Sequence, residues 1–367
     1  MKKLSFLLVL ILGLGLFLAA CGTADEEGGK DENAGDDAKN EEKTDFSVGM
    51  VTDIGGVDDK SFNQSAWEGL TAFGELNGFT EGEEFAYEQS NAREDYIPNL
   101  QRMVRDGYDL IYGIGFELKE DITTVAKQNP DTHFALVDDI LDTENGVSIT
   151  FKEHQGSFLV GVAAALKTKT NKLGFVGGVD SPLINKFEAG FIAGAKSVNP
   201  DIEVEVQYAE SFADAAKGKI IATSMYDSGV DVIYHASGAT GNGVFNQAKD
   251  LKQNDPEREI WVIGVDRDQH EEGQTGDYNV TLTSMVKRVD VAVEKVATMS
   301  MNGEFPGGEQ LEFGIEEDGI AFATTNTEAM TEDIISTVNE WQDKILNGDV
   351  NVPQTREELD AFVKELQ

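Results

Sequence analysis

Cysteine and histidine are almost absent from this chain of 367 residues. A single cysteine excludes any disulfide within the chain and any cysteine-based zinc site. The four histidines, at positions 133, 154, 235 and 270, are too few to predict a histidine-rich metal centre. We therefore expect neither a metal nor another cofactor.

Positive charge is scarce as well. The chain has 29 lysines and arginines against 68 aspartates and glutamates, which gives a formal net charge of -39. Nucleic-acid phosphates and anionic lipid surfaces both attract clustered basic residues, which this composition does not supply. We therefore expect no nucleic-acid partner and no electrostatic adhesion to a membrane.

Apolar residues, in contrast, are plentiful. They make up 40% of the chain, which is enough for sizeable cores and excludes global disorder. At roughly 100–200 residues per domain, the length predicts two domains or two lobes.

The amino terminus has the pattern of an export signal. Lys2 and Lys3 precede an uncharged run over residues 4–20, which as a helix covers only about 25 Å of the ~30 Å hydrocarbon core. A signal peptide over residues 1–20 is therefore predicted. Its end, Leu-Ala-Ala-Cys at 18–21, resembles a bacterial lipoprotein signal, which implies cleavage before Cys21 and lipid on its sulfur. A plain signal peptide with an incidental cysteine is the alternative.

The next segment predicts a tether. Residues 22–45 contain ten acidic residues and three lysines but no aromatic or large aliphatic side chain. Such a segment buries too little apolar surface to become ordered, and its length corresponds to a coil of roughly 25–30 Å. With Cys21 it forms a predicted lipidated, disordered tether over 21–45. We expect a globular part from Phe46 onward, anchored to the extracytoplasmic face of a bacterial membrane.

From Phe46 onward, short β-rich runs alternate with amphipathic helical patterns. This alternation predicts an α/β fold in which parallel sheets are joined by right-handed crossovers. Two βαβαβ halves are expected, one before about residue 150 and one after about 170. The expected strands cover residues 46–52, 84–89, 109–113, 133–138, 147–151, 172–176, 203–208, 231–235, 260–266 and 279–284.

Later elements are expected to return and complete both halves. A helix over 289–301, a strand near 320–323 and helices over 330–347 and 355–366 follow the second half. We therefore predict two discontinuous lobes joined by a hinge. The N-terminal lobe covers 46–150 plus about 271–305, and the C-terminal lobe covers 151–270 plus about 306–367.

Three apolar strands end in an aspartate. Asp53, Asp138 and Asp266 come from both halves of the chain, and open α/β sheets bind ligands at the carboxyl ends of their strands. Each could instead cap the helix that follows. Three such residues at equivalent strand ends favour a polar ligand.

Two aromatic residues lie outside the periodic core patterns. Phe62 stands where the first helix should begin, and Phe212 lies between a strand and a helix. One ring from each lobe could hold a flat heterocycle by stacking, or each could staple its own helix to the lobe. The glycine-rich stretch 238–243 does not have dinucleotide-fingerprint spacing and is expected to let backbone approach a ligand.

Several motifs stand together in a familiar order: Gly-Met-Val-Thr-Asp at 49–53, Lys-Ser-Phe-Asn-Gln at 60–64, Ser-Phe-Ala-Asp-Ala-Ala-Lys-Gly at 211–218 and Gly-Val-Asp at 264–266. Over residues 46–353 they resemble the basic membrane protein family, also called purine nucleoside receptor A-like proteins. This resemblance implies a type I periplasmic-binding-protein fold with two Rossmann-like lobes. It also implies a receptor that passes nucleosides to an ABC permease, and we expect this receptor to be a monomer.

The same resemblance implies a set of ligand-binding residues. Phe62 and Phe212 would clamp a purine, while Asp53, Asn63 and Asp138 would bind the edge of the base. The ribose hydroxyls would be held by Asp266, Gly238 and Lys287. Lys287 can also pair with Asp266. The alternative is that it forms only a surface salt bridge, which contributes little to stability.

Other functions remain to be weighed. A sugar receptor on the same fold and a surface sensor that signals through a partner protein are alternatives. The run 52–59 superficially resembles the calcium loop of nucleoside hydrolases, but Val51 stands where that loop has a further aspartate. Losing a ligand argues against a calcium site, which takes roughly 6–8 oxygens. No Gly-x-Ser-x-Gly elbow is present, so we do not expect an enzyme.

Overall fold

A computed structural model describes residues 45–366 of the chain. The predicted signal peptide, the predicted lipidation site Cys21 and all of the predicted tether except its last residue lie outside the described residues. In the described part, none of the helices combines the length and apolar character needed to span a bilayer.

The described chain alternates strands and helices. The strands are β1 (Val48–Val51), β2 (Phe85–Glu88), β3 (Leu110–Ile114), β4 (His133–Val137), β5 (Gly146–Phe151), β6 (Lys172–Gly177), β7 (Glu203–Tyr208), β8 (Val232–Ala236), β9 (Trp261–Asp266), β10 (Gln274–Thr275), β11 (Tyr278–Asn279), β12 (Thr281–Lys287), β13 (Gln310–Phe313) and β14 (Ile320–Phe322). The helices are α1 (Phe62–Asn77), α2 (Tyr96–Asp106), α3 (Lys119–Gln128), α4 (Glu153–Lys167), α5 (Pro182–Val198), α6 (Ala215–Asp227), α7 (Gly241–Asn254), α8 (Val289–Met301), α9 (Glu332–Leu346) and α10 (Arg356–Glu365).

Twelve of these strands form two six-stranded sheets of matching topology. The first sheet has the order β13-β5-β4-β3-β1-β2 and is parallel throughout. The second has the order β14-β12-β9-β8-β6-β7 and is parallel except for β14, which runs antiparallel to β12. The predicted α/β class with parallel sheets is therefore confirmed.

Burial explains why the inner strands were recognisable. Every residue of β1, β3 and β8 is buried, as expected for parallel strands that helices cover on both faces. Their apolar, β-branched sequences have no polar face to present to water. These strands position the loops at their carboxyl ends.

Each sheet with its packed helices forms one lobe. The first lobe contains the first sheet with α1, α2, α3 and α8, and the second lobe contains the second sheet with the remaining six helices. The chain passes between the lobes at residues 151–153, 287–289 and 313–320. These three passages make both lobes discontinuous.

Two strands lie in a different sheet from the one that the predicted lobe boundaries imply. Residues 281–287 were expected in the N-terminal lobe, but β12 pairs with β9 in the second sheet. Residues 310–313 were expected in the C-terminal lobe, but β13 pairs with β5 in the first sheet. Pairing between distant segments decides sheet membership, and the local pattern of a strand does not encode its partner.

The helix α4 falls in a segment that the sequence pattern indicated only as a connection. Eleven of its fifteen residues are buried, because it packs closely against α5 and also contacts α9, β12 and β14. A helix that is apolar all round has no 3.6-residue stripe to reveal it. Glycines permit the close packing, since a Cβ at Gly194 would overlap the backbone carbonyl of Phe158.

Candidate functional site

A cleft lies between the carboxyl ends of the two sets of strands. It contains about 550 Å³ of space free of protein atoms, part of it open to solvent. The structure brings all of the predicted ligand-binding residues together on its walls. They are Asp53, Phe62, Asn63, Asp138, Phe212, Gly238, Asp266 and Lys287.

The start of α1 is built by Asp59. One carboxylate oxygen accepts the backbone N–H groups of Ser61 and Gln64, at 2.8 and 3.2 Å, and the other accepts that of Asn63, at 2.9 Å. These bonds satisfy donors that a helix leaves unpaired in its first turn. Asp59 also lines the cleft. The sequence analysis missed it, although an aspartate just before a helix start is a known capping signal.

The side chain of Asn63 is held in one orientation. Its Nδ2 donates to Oδ1 of Asp53 at 2.6 Å and to Oδ2 of Asp59 at 3.1 Å. Both amide hydrogens are thereby used, so its Oδ1 is left as an acceptor. That oxygen is buried and has no hydrogen-bond partner within residues 45–366.

Asp53 is a carboxyl group that titrates near neutrality. Burial raises its pKa to about 7, although hydrogen bonds from Gly55 N–H (2.8 Å) and Asn63 oppose the shift. A carboxyl group in this state can accept a hydrogen bond from a ligand or, once protonated, donate one.

Asp138 and Asp266 occupy matching places in the two lobes. Asp138 directly follows β4 and Asp266 ends β9, and these strands are third in their sheets. Both residues have left-handed backbone, with φ of 74° and 65°. This conformation is uncommon for residues other than glycine and persists only where the surroundings hold it, typically at functional sites.

Lys287, at the end of β12, lies between these two aspartates. Its Nζ donates to Oδ2 of Asp138 at 2.6 Å and is 4.0 Å from Oδ1 of Asp266. The structure therefore adds a closer partner to the predicted pairing with Asp266. Asp138 belongs to the first lobe and Lys287 to the second, so this buried ion pair crosses the cleft.

The charge of Lys287 is secured by its neighbours. Burial alone would lower its pKa, but the carboxylates of Asp138, Asp266 and Glu153 outweigh burial and raise the pKa above its usual value. Asp266 gains a further bond from the hydroxyl of Ser61, which donates to Oδ2 at 2.5 Å from the first lobe. Even so, burial raises the pKa of Asp266 to about 6.

Aromatic rings reach the cleft from both lobes. Phe62 begins α1, and Lys287 Nζ lies 4.7 Å from the centre of its ring. Phe212, in the second lobe, contacts Phe116 of the first lobe edge-on, with ring centres 6.1 Å apart. The sequence analysis missed Phe116 and Phe187, which also line the cleft. Phe116 lies just beyond β3, so the strand-end rule could have found it, whereas Phe187 sits inside α5 and resembles a core residue.

Gly238 follows β8 and opens a short 3₁₀ turn. Its φ of 54° is left-handed, and a Cβ there would lie 3.1 Å from the carbonyl oxygen of Phe212. In the structure, therefore, the backbone that lies close to Gly238 is that of Phe212, whose ring lines the cleft. Gly238 thus allows Phe212 to take its position.

The cleft is acidic. Its carboxyl groups are those of Asp53, Asp59, Glu117, Asp138 and Asp266. Among the described residues that line it, Lys287 is the one cation. The arrangement disfavours anionic ligands and offers hydrogen bonds together with flat apolar faces.

Comparisons with known proteins agree with this architecture. Residues 46–356 match the family model described as "ABC transporter substrate-binding protein PnrA-like". The chain is 52% identical to a Listeria innocua protein named "CD4+ T-cell-stimulating antigen", over 96% of this chain and 99% of that protein. It is 43% identical to the "ABC transporter nucleoside-binding protein BmpA" of Lactococcus lactis, over 85% and 90% of the two chains.

A solved structure of another protein has the same architecture. The crystal structure of an ABC transporter solute-binding protein from Aeropyrum pernix K1 aligns with a TM-score of 0.75 and 27% identity. The alignment covers 88% of this chain and 97% of that one. The fold is that of the type I periplasmic-binding proteins.

Proposed function

Because the chain belongs to the PnrA-like family of ABC transporter substrate-binding proteins, we propose that its cleft captures nucleosides, chiefly purine nucleosides, and delivers them to a permease. The family is one of substrate-binding proteins rather than enzymes. The name of the Lactococcus lactis relative, a nucleoside-binding protein, supports the choice of nucleosides.

One observation carries this proposal: the cleft combines aromatic rings from both lobes with fixed polar groups. Phe62 and Phe212 offer apolar faces for a flat base. Asp53 and the buried Oδ1 of Asn63, which has no hydrogen-bond partner among residues 45–366, can accept from N–H groups on the edge of a base. Asp266 can accept bonds from ribose hydroxyls.

The electrostatics favour nucleosides over nucleotides. A phosphate would bring its negative charge among several carboxylates of the cleft. Lys287, the cation beside them, is already paired with Asp138. Nucleosides carry no such charge. We therefore expect nucleoside monophosphates to bind at least tenfold more weakly than the matching nucleosides.

The loop 52–59 does not favour the hydrolase alternative. Both oxygens of Asp59 accept backbone N–H groups at the start of α1. Oδ1 of Asp53 accepts two further N–H groups. Lone pairs that accept these N–H groups stabilise the local fold and are not free to bind Ca²⁺.

Ligand-dependent thermal stabilisation tests the proposed function. Guanosine, inosine, adenosine, free bases, pentoses and amino acids are each added to the full chain, and the shift in Tm is recorded. We expect purine nucleosides to raise Tm most. Stabilisation by sugars and not by nucleosides would contradict the proposal, and release of free base from inosine in the presence of Ca²⁺ would favour the hydrolase.

A ring deletion tests the aromatic contact. Phe62→Ala is expected to weaken purine nucleoside binding about tenfold, because stacking contributes about 0.5–1.5 kcal/mol beyond buried area. Isothermal titration calorimetry measures the change. Phe305→Ala is the matched control, since its ring stacks on His133 at the other end of β4. Equal effects of the two variants would show that Phe62 has no special contact.

Anchoring at Cys21 belongs to the same proposal. Labelled palmitate supplied to cells should appear in the wild-type protein but not in Cys21→Ala, which should leave the membrane fraction. Deleting the neighbouring permease genes should abolish nucleoside uptake. Normal uptake after that deletion would favour a sensor over a transport receptor.

A further inference from the structure

We propose that Gln269, which does not line the cleft, positions the ligand-binding start of α1 when the two lobes are closed. The segment concerned, residues 59–63, carries Phe62 and Asn63. This inference rests on ligand capture by lobe closure and does not depend on which ligand the cleft binds.

Gln269 is a buried junction between the lobes. Its Oε1 accepts the backbone N–H of Val265 at 2.9 Å and lies 3.0 Å from Nε2 of His235, both in the second lobe. Its Nε2 donates to the carbonyl oxygen of Lys60, in the first lobe, at 2.9 Å. The side chain is fully buried, so water does not compete for these bonds.

The orientation of this amide follows from its partners. The N–H of Val265 can only donate, so the atom facing it must be the amide oxygen. His235 must then carry its hydrogen on Nε2, which leaves Nδ1 as an acceptor 3.4 Å from the hydroxyl of Ser237 on the cleft wall. A chain of hydrogen bonds thus runs from the cleft wall to the opposite lobe.

The second lobe holds Gln269 rigidly. Its backbone N–H donates to Oγ of Ser284 at 3.0 Å, and its carbonyl oxygen accepts from Oγ1 of Thr281 at 3.1 Å. Both partners belong to β12. Side chains locked in this way are the ones that can position a functional group accurately.

The first lobe presents a strained segment to this junction. Lys60 has a left-handed φ of 66°, and its carbonyl is turned towards Gln269. Its neighbours also bond across the cleft, because Asn242 Nδ2 donates to the carbonyl of Asp59 at 3.1 Å and Ser61 donates to Asp266. Three consecutive residues are therefore held by the second lobe, directly before Phe62.

Bonds of this kind exist only while the lobes are together. Removing one should leave encounter with the ligand unchanged and let the closed complex reopen sooner. The affinity loss should therefore appear in the dissociation rate. A residue that merely stabilised the second lobe would lower Tm without this kinetic signature.

Gln269→Glu is the sharpest variant. It keeps an oxygen for Val265 and His235 and replaces the donor to Lys60 with a second oxygen. Gln247→Glu is the control, because Gln247 is also buried in the second lobe, on α7, and none of the cross-lobe hydrogen bonds found in residues 45–366 involves its side chain. Asn242→Ala should act in the same direction but more weakly.

Two measurements decide the proposal. With guanosine as the probe, stopped-flow kinetics should show a dissociation rate about tenfold higher for Gln269→Glu, with the association rate within twofold of wild type. Hydrogen exchange of the guanosine-bound full chain should be faster at residues 61–65 in Gln269→Glu than in the wild type, and unchanged at 281–287. Faster exchange at 281–287 alone, or an unchanged dissociation rate, would overturn the proposal. The wild-type chain shows by itself whether guanosine binds and slows exchange at 61–65, so a failure of the proposed function is distinguished from a failure of this inference.

Discussion

Asp53 and Asp266 are both buried carboxyl groups at strand ends on the walls of one cleft, but their surroundings differ. Asp53 is bonded to amide N–H groups, and burial raises its pKa to about 7. Asp266 has a lysine at 4.0 Å and a serine hydroxyl at 2.5 Å, and burial raises its pKa only to about 6. The neighbouring Lys287 thus favours the charged form of Asp266, whereas Asp53 is more readily protonated.

Removal of Lys287 should have the largest effect on the difference between Asp53 and Asp266. Lys287→Met leaves Asp138 and Asp266 buried without their cation, and breaking such a pair typically costs about 3–5 kcal/mol. Urea unfolding at pH 7.5 measures the loss. Lys172→Met, at an exposed pair with Glu203, should cost less than about 1 kcal/mol. A similar cost for both variants would show that Lys287 does not balance the buried carboxylates.

The pH dependence of stability should separate the two aspartates. A carboxyl whose pKa is higher in the folded than in the unfolded protein binds more protons when folded. Its contribution is therefore fully present below the unfolded pKa of about 3.8 and is lost as pH rises through the folded value. Stability should fall from pH 4 to 8, by on the order of 2–4 kcal/mol for Asp53.

The matching variants assign each part of that fall. Asp53→Asn should flatten the curve between pH 4 and about 7, and Asp266→Asn only between pH 4 and about 6, so the slope between pH 6 and 7 reports on Asp53; urea unfolding at several pH values measures both. A curve that keeps its wild-type slope in Asp53→Asn would place the titrating group elsewhere.

The smallest effect is expected at Ser61. Ser61→Ala removes the hydroxyl that bonds to Asp266 and should cost about 1 kcal/mol. The pKa of Asp266 should then rise towards that of Asp53, which ¹³C NMR of the carboxyl group can follow. If the pKa of Asp266 does not move, Lys287 alone accounts for the difference.

Features with a local signal were predictable from the sequence. The strand ends at Asp53, Asp138 and Asp266 follow continuous apolar runs, and Phe62 stands where α1 begins. Their position in one cleft follows from the rule for parallel sheets. Their roles towards a ligand remain predictions that the experiments above test.

Features that depend on distant contacts were not predictable. The closest partner of Lys287 is 149 positions away, and Gln269 bonds to a carbonyl 209 positions away. α4 has no polar face, and the partners of β12 and β13 are chosen by the assembled sheets. In each case the deciding interaction joins segments that are far apart in the sequence.

The three chain passages between the lobes also determine whether a prematurely terminated chain can fold. A chain that stops before residue 310 lacks β13 and β14, so β5 and β12 each become an unpaired edge. Exposed edges of this kind promote aggregation. A truncated message should therefore yield material for proteolysis and not a half-active protein, since the first sheet lacks β13 and the second lacks β14 until residues 310–322 have been made.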